Sequence, residues 1–342
     1  MPHTPSTGRS LVLPPLISYG SPADFRVALE TSTELSSQNL QVFEELSNAG
    51  LPPLVSPTSL AVLLGVSPKL ISAMSLFPRR YYRAFDVRKR SGGKRRILAP
   101  RTYLKVVQKF VLRRILEQRA LPKFVTGFVK SKGIVENASA HLGSTHFLNI
   151  DLKDFFTSVR DSRVIKIFRS FGYPPAMANT LMRLCTYDGC LPQGAPTSPY
   201  LANLAFLTAD AGIVRICDKF RIKYTRYADD LTFSCRKPFT DRFLNDVERV
   251  IIRHDFEVNR RKTRYSGPGQ ANYVTGLVVS TKVQAGRSQR RLLRAMFHNA
   301  YSHPERFGGR KNELEGWASY VNSYDRKLGK QYLAIARSLG TT

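Results

Sequence analysis

Two adjacent aspartates between two strand-like segments place the strongest constraint on the fold of this chain. Residues 221–227 and 231–235 carry the alternating, β-branched and aromatic pattern of strands, and Asp229 and Asp230 lie between them. Two like charges at a tight turn repel each other and resist burial, so a fold tolerates them when a divalent cation compensates the charge. For the pair taken alone, an ordinary acidic turn is the alternative.

A third carboxylate, Asp151, lies at the end of another apolar strand-like run, residues 146–150. If that strand lies beside the hairpin, Asp151 and Asp229 converge from opposite sides on one pair of Mg²⁺ ions. Such a site supports in-line phosphoryl transfer, in which one ion activates the attacking oxygen and the other stabilises the leaving pyrophosphate. Mg²⁺ suits a site with few protein carboxylates, because substrate phosphates complete its coordination shell.

A loop rich in Pro and Gly lies between these carboxylates. Residues 191–199 read Leu-Pro-Gln-Gly-Ala-Pro-Thr-Ser-Pro, a composition that excludes a regular helix or strand. The run of residues 200–206 predicts a helix after the loop, with Ser198 as its capping residue. A plain structural loop explains the Pro and Gly, but it does not explain the order of the three segments.

In that order, Asp151 with Phe155-Phe156, the Leu-Pro-Gln-Gly loop and Tyr227-Ala228-Asp229-Asp230 resemble the palm of a reverse transcriptase. The resemblance implies an α+β fold with the right-hand architecture of polymerases, in which the palm has an antiparallel sheet with helices. The implied domains are a partly flexible N-terminal extension (residues 1–55), fingers with N-terminal helices (56–147), a palm (148–280) and a small helical thumb (281–342). Within the palm range, the segment of about 160–195 is expected to lie near the fingers.

The resemblance also implies roles for individual residues. Asp151, Asp229 and Asp230 are the expected catalytic carboxylates, and together with Leu152 they form the expected site for two Mg²⁺ ions, with Mn²⁺ as a substitute. The expected nucleotide-binding residues are Lys89, Arg95, Phe156, Gln193 and Lys262.

Arg95 belongs to the most basic segment of the chain. Residues 87–116 contain eleven basic residues and no acidic one. Their first part predicts two strands around Gly92-Gly93, a hairpin that folds over a triphosphate, and residues 103–116 predict a helix. Non-specific contact with template phosphates is the alternative for this segment. The alternatives for the second triphosphate-binding cation are Arg88, Lys89 and Arg90.

Three of the nucleotide-binding roles follow from motif position. Phe156 is expected beneath the ribose, where a ring leaves no room for a 2′-hydroxyl and selects deoxynucleotides, and one ring of Phe155-Phe156 is expected in the core. Gln193 matches a glutamine near the sugar, whose amide forms hydrogen bonds without adding charge. Lys262 lies where related enzymes carry a lysine that protonates the leaving pyrophosphate, and a solvated basic segment is the alternative there.

Two shorter patterns indicate one branch of the family. Residues 137–141, Asn-Ala-Ser-Ala-His, resemble the Asn-Ala-x-x-His signature of retron reverse transcriptases, and residues 274–276 resemble their Val-Thr-Gly signature. This resemblance implies reverse transcription of part of a structured non-coding RNA, primed from a 2′-hydroxyl within it, into a branched RNA–DNA (msDNA) in an anti-phage defence system. The alternatives are a group II intron-like or other defence reverse transcriptase, or an RNA-binding scaffold that restrains an effector.

The expected partners are therefore the RNA template-primer and its DNA product, deoxynucleotides and a separate effector protein, with no membrane. For His141 the alternative is a role in the core, and for Gly276 it is a simple strand reversal. The expected RNA- or primer-binding residues are Asn137, His141, Val274, Thr275, Gly276, Arg290, Arg291 and Arg294.

Net charge agrees with a nucleic-acid partner. The chain has 53 Lys and Arg against 25 Asp and Glu, a formal charge of +28, which is typical of polyanion binding. Residues 1–50 contain two basic and five acidic residues, so the excess lies in the rest of the chain. Helical apolar spacing in residues 288–300 and 313–339 predicts a basic thumb that grips an RNA-containing duplex or a structured RNA. Trp317 and Tyr320 are expected in its core, and stacking on bases is the alternative for them.

The remaining features concern compartment and the N-terminal part. Residues 1–25 show no sustained period and no secretory signal, and the four cysteines lack metal-ligand spacing. We expect no run long enough to span a bilayer, and therefore a cytoplasmic bacterial protein with reduced thiols. Residues 56–74 contain two Ser-Pro pairs, each followed by helical spacing, and predict two short helices.

Overall fold

The computed structural model describes residues 21–31, 36–88 and 92–339 of the chain. These residues form two compact units. Unit 1 comprises the described residues up to Ala120 together with Val159–Leu201. Unit 2 comprises Leu121–Ser158 and the described residues from Ala202 onward.

The secondary structure mixes helices with antiparallel sheets, which confirms the α+β class. The helices of the described residues are α1 (Pro22–Thr31), α2 (Ser37–Asn48), α3 (Pro57–Leu64), α4 (Pro68–Leu76), α5 (Thr102–Arg114), α6 (Ile134–Ser139), α7 (Asp161–Arg169), α8 (Pro175–Cys185), α9 (Ser198–Phe220), α10 (Asp241–Arg253), α11 (Arg287–Ser302), α12 (Lys311–Tyr324) and α13 (Arg326–Ser338). The strands are β1 (Tyr82–Arg88), β2 (Lys94–Pro100), β3 (His146–Lys153), β4 (Lys223–Tyr227), β5 (Asp230–Cys235), β6 (Glu257–Val258), β7 (Arg264–Ser266), β8 (Tyr273–Val274), β9 (Leu277–Val279) and β10 (Val283–Ala285).

Unit 1 contains the helix pair that the two Ser-Pro pairs predict. Ser56 caps α3 and Ser67 caps α4, and each helix has Pro at its start. Gly65 ends α3 in the left-handed conformation with a φ of 62°, which a residue without Cβ adopts at little cost. The chain therefore turns by 119° between the two helices.

The N-terminal helices of unit 1 are more regular than the sequence indicates. α1 begins at Pro22, inside the segment for which the sequence shows no sustained period. Phe25 and Leu29 of this helix are buried in a cluster with Phe43 and Val55. Burial against other elements, rather than a long periodic pattern, therefore stabilises this short helix.

The basic hairpin and helix are also in unit 1. β1 pairs antiparallel with β2 from Tyr82 opposite Pro100 to Arg88 opposite Lys94, and α5 follows. Most side chains of the two strands are exposed, because β1 and β2 pair with each other and form a two-stranded sheet. Lys89, which follows β1 in the sequence, lies outside the described residues.

A five-stranded antiparallel sheet is the centre of unit 2. Its strands follow the order β4-β5-β3-β6, and β7 also pairs with β3. The predicted hairpin is confirmed as β4 and β5, with Tyr227 opposite Asp230. On α10, Phe243 packs edge-on against Phe233 of β5, with ring centroids 5.4 Å apart.

The helix α9 corrects two expectations. It is long and apolar enough to cross a membrane by length and mean hydropathy, as are α3 and α4 taken together as one bent span, so the prediction that no run has this length was wrong. Most of the apolar window of α9 is buried in the protein, and it carries Asp210 in a buried ion pair, as expected for a core helix. The hydroxyl of Ser198 is buried and has no hydrogen-bond partner in the described part of the chain, so this residue starts α9 but does not cap it.

The C-terminal part of unit 2 is helical. α11, α12 and α13 enclose a buried cluster in which Phe297 and Tyr332 stack with centroids 3.9 Å apart, and Trp317 and Tyr320 pack against it. The helical segment predicted over residues 313–339 is two helices. The break lies at Asp325, whose carboxylate accepts a hydrogen bond from the Leu328 N–H and caps α13.

Candidate active site

The carboxylates predicted from the sequence lie on neighbouring strands of unit 2. β3 pairs with β5 in a register that puts Asp151 opposite Asp230, rather than opposite Asp229. Ala228 has a φ of 58° and turns the chain between β4 and β5. The backbone N–H of Leu152 donates a hydrogen bond to the Asp229 carbonyl oxygen over 2.9 Å. The backbone pairing therefore gathers all four residues of the expected metal site at one end of the sheet.

Like charges act on Asp230 in this arrangement. Loss of hydration, together with the nearby carboxylates of Asp229 and Asp151, raises the pKa of Asp230 to about 6, although the Lys262 ammonium opposes this shift. Asp230 nevertheless keeps a solvent-exposed side, and water there screens part of the repulsion. A cation that neutralises the neighbouring carboxylates would therefore stabilise the ionised form of Asp230.

Two residues of the segment after β6 hold Asp151. The Asn259 side-chain amide donates to Asp151 Oδ1 over 3.0 Å, and the Asn259 backbone N–H donates to the Asp151 carbonyl oxygen over 2.8 Å. Lys262 Nζ lies 3.0 Å from Asp151 Oδ2, while its side chain stays 61% exposed. Asn259 was not among the predicted site residues, because its role depends on the pairing of β6 with β3.

The donor chemistry of this site fits a divalent cation. Carboxylate oxygens are the ligands that Mg²⁺ prefers. In the part of the chain that the structure describes, no group of three or more His, Cys, Asp or Glu side chains is already arranged to hold a metal ion. Mg²⁺ commonly takes only one or two protein carboxylates together with substrate phosphates, so a closed set of three is not required.

A buried ion pair supports the turn that carries Asp229 and Asp230. The guanidinium of Arg226 is fully buried and lies 2.6 Å from Asp210 Oδ2 on α9. It also donates to the Asn203 side-chain oxygen over 2.7 Å and to the Ala228 carbonyl oxygen over 3.3 Å. The sequence pattern predicts Arg226 as part of a strand and gives it no further role. An arginine within a β-branched and aromatic strand pattern nevertheless indicates that its side chain has a buried partner.

The same turn leaves no room for a side chain at Gly127. A Cβ placed there would overlap the backbone nitrogen of Ala228. The Gly127 carbonyl oxygen accepts a hydrogen bond from the Asn203 amide over 2.9 Å, and the Thr126 N–H donates to the Arg226 carbonyl oxygen over 2.9 Å. The turn is therefore packed against the segment of Thr126 and Gly127 and against α9, which restricts the path of the backbone that carries the two carboxylates.

The comparisons with known proteins agree with this geometry. Residues 87–278, more than half of the chain, match the family described as reverse transcriptase (RNA-dependent DNA polymerase), and the match includes all three aspartates. The chain belongs to the reverse transcriptase family. It is an RNA-directed DNA polymerase, and enzymes of this family use divalent metal ions.

Two relatives of this reverse transcriptase are retron reverse transcriptases. The retron Ec86 reverse transcriptase of Escherichia coli is 34% identical over 320 residues, which cover 89% of this chain and 95% of that protein. The retron Mx65 reverse transcriptase of Myxococcus xanthus is 33% identical, over 87% of this chain and 75% of that protein. The retron type predicted from two short signatures is confirmed.

Among solved structures, a telomerase from Candida albicans aligns with a TM-score of 0.46 and 12% identity, over 75% of this chain and 55% of that chain.

The two adjacent phenylalanines of the reverse transcriptase have different environments. Phe155 is 2% exposed and packs against Phe206 and Phe256, with centroids 6.0 and 5.8 Å away. Phe156 is only partly buried, and its ring lies 6.2 Å from that of Phe128. Phe155 is thus the core member of the pair, and Phe156 is the ring that remains accessible.

Three of the signature residues expected to bind RNA or primer, Asn137, His141 and Val274, are fully buried, and their contact with RNA stays a prediction. His141 hydrogen-bonds to Ser234 Oγ and Thr225 Oγ1, each over 2.7 Å, and so links β5 to β4. Burial, assisted by the positive charge of Lys223, lowers the pKa of His141 to about 3. His141 is therefore neutral at physiological pH and holds the two strands of the aspartate hairpin together.

Asn137 and Val274 are the other two buried residues of this group. Both have no exposed surface, and the Asn137 side-chain oxygen accepts a hydrogen bond from Thr126 Oγ1 over 2.9 Å. Thr275 and Gly276 have positive φ angles of 46° and 82°, and they form the two-residue turn between β8 and β9. Gly276 is exposed and Thr275 partly exposed, so RNA contact stays a prediction for these two.

Two predicted nucleotide-binding residues of unit 1, Arg95 and Gln193, lie on elements that contact each other. Arg95 is exposed on β2, and Gln193 is partly buried in the loop before α9. The Leu98 N–H of β2 donates to the Gln193 carbonyl oxygen over 2.7 Å, and a Cβ on Gly194 would lie 2.8 Å from the Leu98 carbonyl oxygen. The loop therefore needs glycine at this position to approach the strand. The remaining predicted RNA-binding residues, Arg290, Arg291 and Arg294, lie on α11.

Proposed function

We propose that this enzyme copies part of a structured RNA partner into DNA and leaves the DNA joined to the RNA, as a branched RNA–DNA (msDNA). The observation that carries the proposal is the register of β3 and β5, which puts Asp151 opposite Asp230 beside Asp229. The similarity to retron reverse transcriptases and the formal charge of +28 support an RNA partner.

The catalytic roles belong to the carboxylate end of the sheet. Asp151, Asp229 and Asp230, with Leu152, hold Mg²⁺, for which Mn²⁺ substitutes. When bound, the metal ions lower the charge barrier between the attacking hydroxyl and the triphosphate and stabilise the leaving pyrophosphate. Asn259 orients Asp151 by donating to both its side chain and its backbone. Lys262 neutralises Asp151 and, in the loaded enzyme, supplies a proton to the pyrophosphate.

Nucleotide selection belongs to a second group of side chains. Arg95, assisted by Lys89, binds the triphosphate of the incoming deoxynucleotide through charge-assisted hydrogen bonds. Gln193 contacts the sugar with its amide. The accessible ring of Phe156 excludes a 2′-hydroxyl, because a rigid aromatic ring leaves no space beneath the ribose.

The proposal also includes a cellular location and a protein partner. We infer a bacterial cytoplasmic enzyme that works in an anti-phage retron system, with a separate effector protein as a partner. The bacterial sources of the relatives support this setting. Four unpaired cysteines agree with a reducing compartment.

The test is made on protein purified from its native locus. Bound nucleic acid is extracted and resolved on a denaturing gel before and after treatment with RNase or DNase. Wild type is compared with Asp229→Asn/Asp230→Asn and with Asp246→Asn, a control that removes a carboxylate from the surface of α10. A discrete DNA joined to RNA, present in wild type and control and absent from the double variant, is the expected result. RNA without DNA in all three preparations would favour an RNA-binding scaffold instead.

A further inference from the structure

A cavity of about 430 Å³ lies in the helical part of unit 2, and neither the three aspartates nor any predicted nucleotide-binding residue lines it. Side chains from β10, α11 and the junction of α12 with α13 form its walls. This volume is within the range of sites that bind small molecules or single nucleotides. The cavity is therefore large enough for a ligand of its own.

The walls of the cavity are strongly basic. Lys282, Arg290, Arg294 and Arg326 line it together with one acidic residue, Asp325, which already caps α13. Within the described ranges, none of these four cations pairs with a carboxylate. Four positive charges around one confined space repel each other, so the site gains from an anion.

Arg290 is the cation whose geometry is most specific. Its Nη1 donates to the Gln284 side-chain oxygen over 2.6 Å, which fixes the guanidinium beside β10. Its Nε is buried and has no hydrogen-bond partner among the residues that the structure describes. A buried donor without a partner costs free energy, and a phosphate oxygen in the cavity would recover it.

The cavity also has an apolar wall beside its basic one. Val283, Leu293 and Leu328 contribute apolar side chains, and Tyr324 contributes an aromatic ring. Within the described ranges, the Tyr324 hydroxyl forms no hydrogen bond with another residue, so it is available as a donor to a ligand. A phosphate attached to an uncharged ring system, as in a nucleotide, matches the combination of cations and apolar surface.

The helix α11 indicates that the ligand belongs to a polymer. Arg287, Arg290, Arg291 and Arg294 follow the spacing i, i+3, i+4 and i+7, which puts them on one helix face. The helix has no acidic residue. A continuous row of positive charge that passes a cavity fits a chain of phosphates better than it fits a free nucleotide.

We propose that this cavity takes one unpaired nucleotide of the RNA partner, with its phosphate at Arg290 and Arg294 and its nucleoside against the apolar wall. The proposal rests on the RNA partner of the proposed function. It adds a defined recognition element, since an unpaired nucleotide can leave its helix and enter a protein cavity, whereas a paired one cannot without disrupting the helix.

The test compares two hairpin RNAs that differ only in one unpaired, bulged nucleotide. Their affinities for the full-length protein are measured by fluorescence anisotropy. Wild type is expected to prefer the bulged RNA by roughly tenfold, the effect of one well-placed charge-assisted contact. Arg294→Gln and Arg290→Gln are expected to remove this preference. Arg291→Gln, on the same helix and not in the cavity wall, is expected to weaken both RNAs equally and keep the preference.

Other results of the affinity measurements would count against the proposal. Equal affinity of wild type for the two RNAs, or loss of the preference in Arg291→Gln as well, would overturn the proposal. Equilibrium dialysis with adenosine monophosphate separates the two sources of a nucleotide. Binding of the free nucleotide without any preference for the bulged RNA would overturn the assignment to RNA.

Two controls separate this proposal from the proposed function and from misfolding. Thermal unfolding of each variant establishes that it is folded, and Arg294→Gln removes no hydrogen bond within the described residues. Extension of a primer on an RNA template by wild type is measured in parallel. Its absence would count against the proposed function, whereas equal binding of both RNAs by an active enzyme would overturn only the cavity proposal.

Discussion

At the scale of the residue, the buried pair Arg226 and Asp210 determines how the aspartate turn is held. Asp210→Asn leaves the Arg226 guanidinium buried without a carboxylate, and we expect a loss of about 3 kcal/mol or more in the free energy of unfolding. Urea unfolding measures it, with the surface change Asp246→Asn as the control. Similar small losses in both variants would show that the pair does not stabilise the fold.

His141 provides a residue-scale prediction about pH. Its pKa is about 3 in the folded protein and near the ordinary value of 6.5 when unfolded, so the unfolded chain binds more protons between these values. Stability is therefore lost as the pH falls below 6.5, by about 2 kcal/mol at about pH 5 from this group. In His141→Gln this dependence should be weaker, and His298→Gln, at an exposed position, is the matched control.

The free energy of unfolding of these two variants is measured by urea titration from about pH 7 to pH 5. His141→Gln is expected to start from a lower stability, because it cannot reproduce both hydrogen bonds to Ser234 and Thr225. An unchanged slope against pH would mean that other groups dominate the acid sensitivity.

Phe156 gives a prediction about substrate choice. Phe156→Ala removes the accessible ring, and we expect ribonucleotide incorporation to rise at least about tenfold relative to deoxynucleotide incorporation. Single-nucleotide extension with the two triphosphates measures this ratio. Phe128→Ala, which removes a neighbouring ring, is the control. Equal discrimination in the wild type and Phe156→Ala would assign the selection to another residue.

At the scale of the element, the crossing of α12 and α13 depends on one glycine. A Cβ on Gly329 would overlap the backbone of Asn322, whereas a Cβ on Gly316 of α12 would meet no atom within 4 Å. We expect Gly329→Ala to destabilise the protein by about 1–3 kcal/mol through overpacking. Gly316→Ala should stabilise it by about 0.5–1 kcal/mol, because alanine favours a helix interior. Thermal unfolding of the two variants, with opposite shifts, checks both.

Elements also differ in how well local sequence specifies them. The helices α3 and α4 follow from Ser-Pro starts and a glycine between them, since caps and a left-handed Gly65 act within a few residues. The separation of α12 from α13 does not follow from the sequence pattern, because apolar spacing continues through Asp325 and only its capping hydrogen bond marks the break.

At the scale of the whole molecule, the charge of +28 predicts how RNA binding responds to salt. Each neutralised phosphate releases counterions, so six or more phosphate contacts would lower the affinity by about 10³ between about 50 and 200 mM salt. Fluorescence anisotropy with a hairpin RNA measures this dependence, and thermal unfolding at each salt concentration is the control for folding. A change of less than about threefold would mean that uncharged contacts dominate binding.

The sequence by itself determined the family, the hairpin around Asp229 and Asp230, and the strand that ends in Asp151, because these depend on motif order and on short periodic patterns. Only the tertiary structure decided that Asp151 lies opposite Asp230, that Asn259 and Lys262 hold Asp151, and that His141 is buried between strands. Residues far apart in the chain meet in these contacts, and strand register and packing, which no local pattern encodes, bring them together.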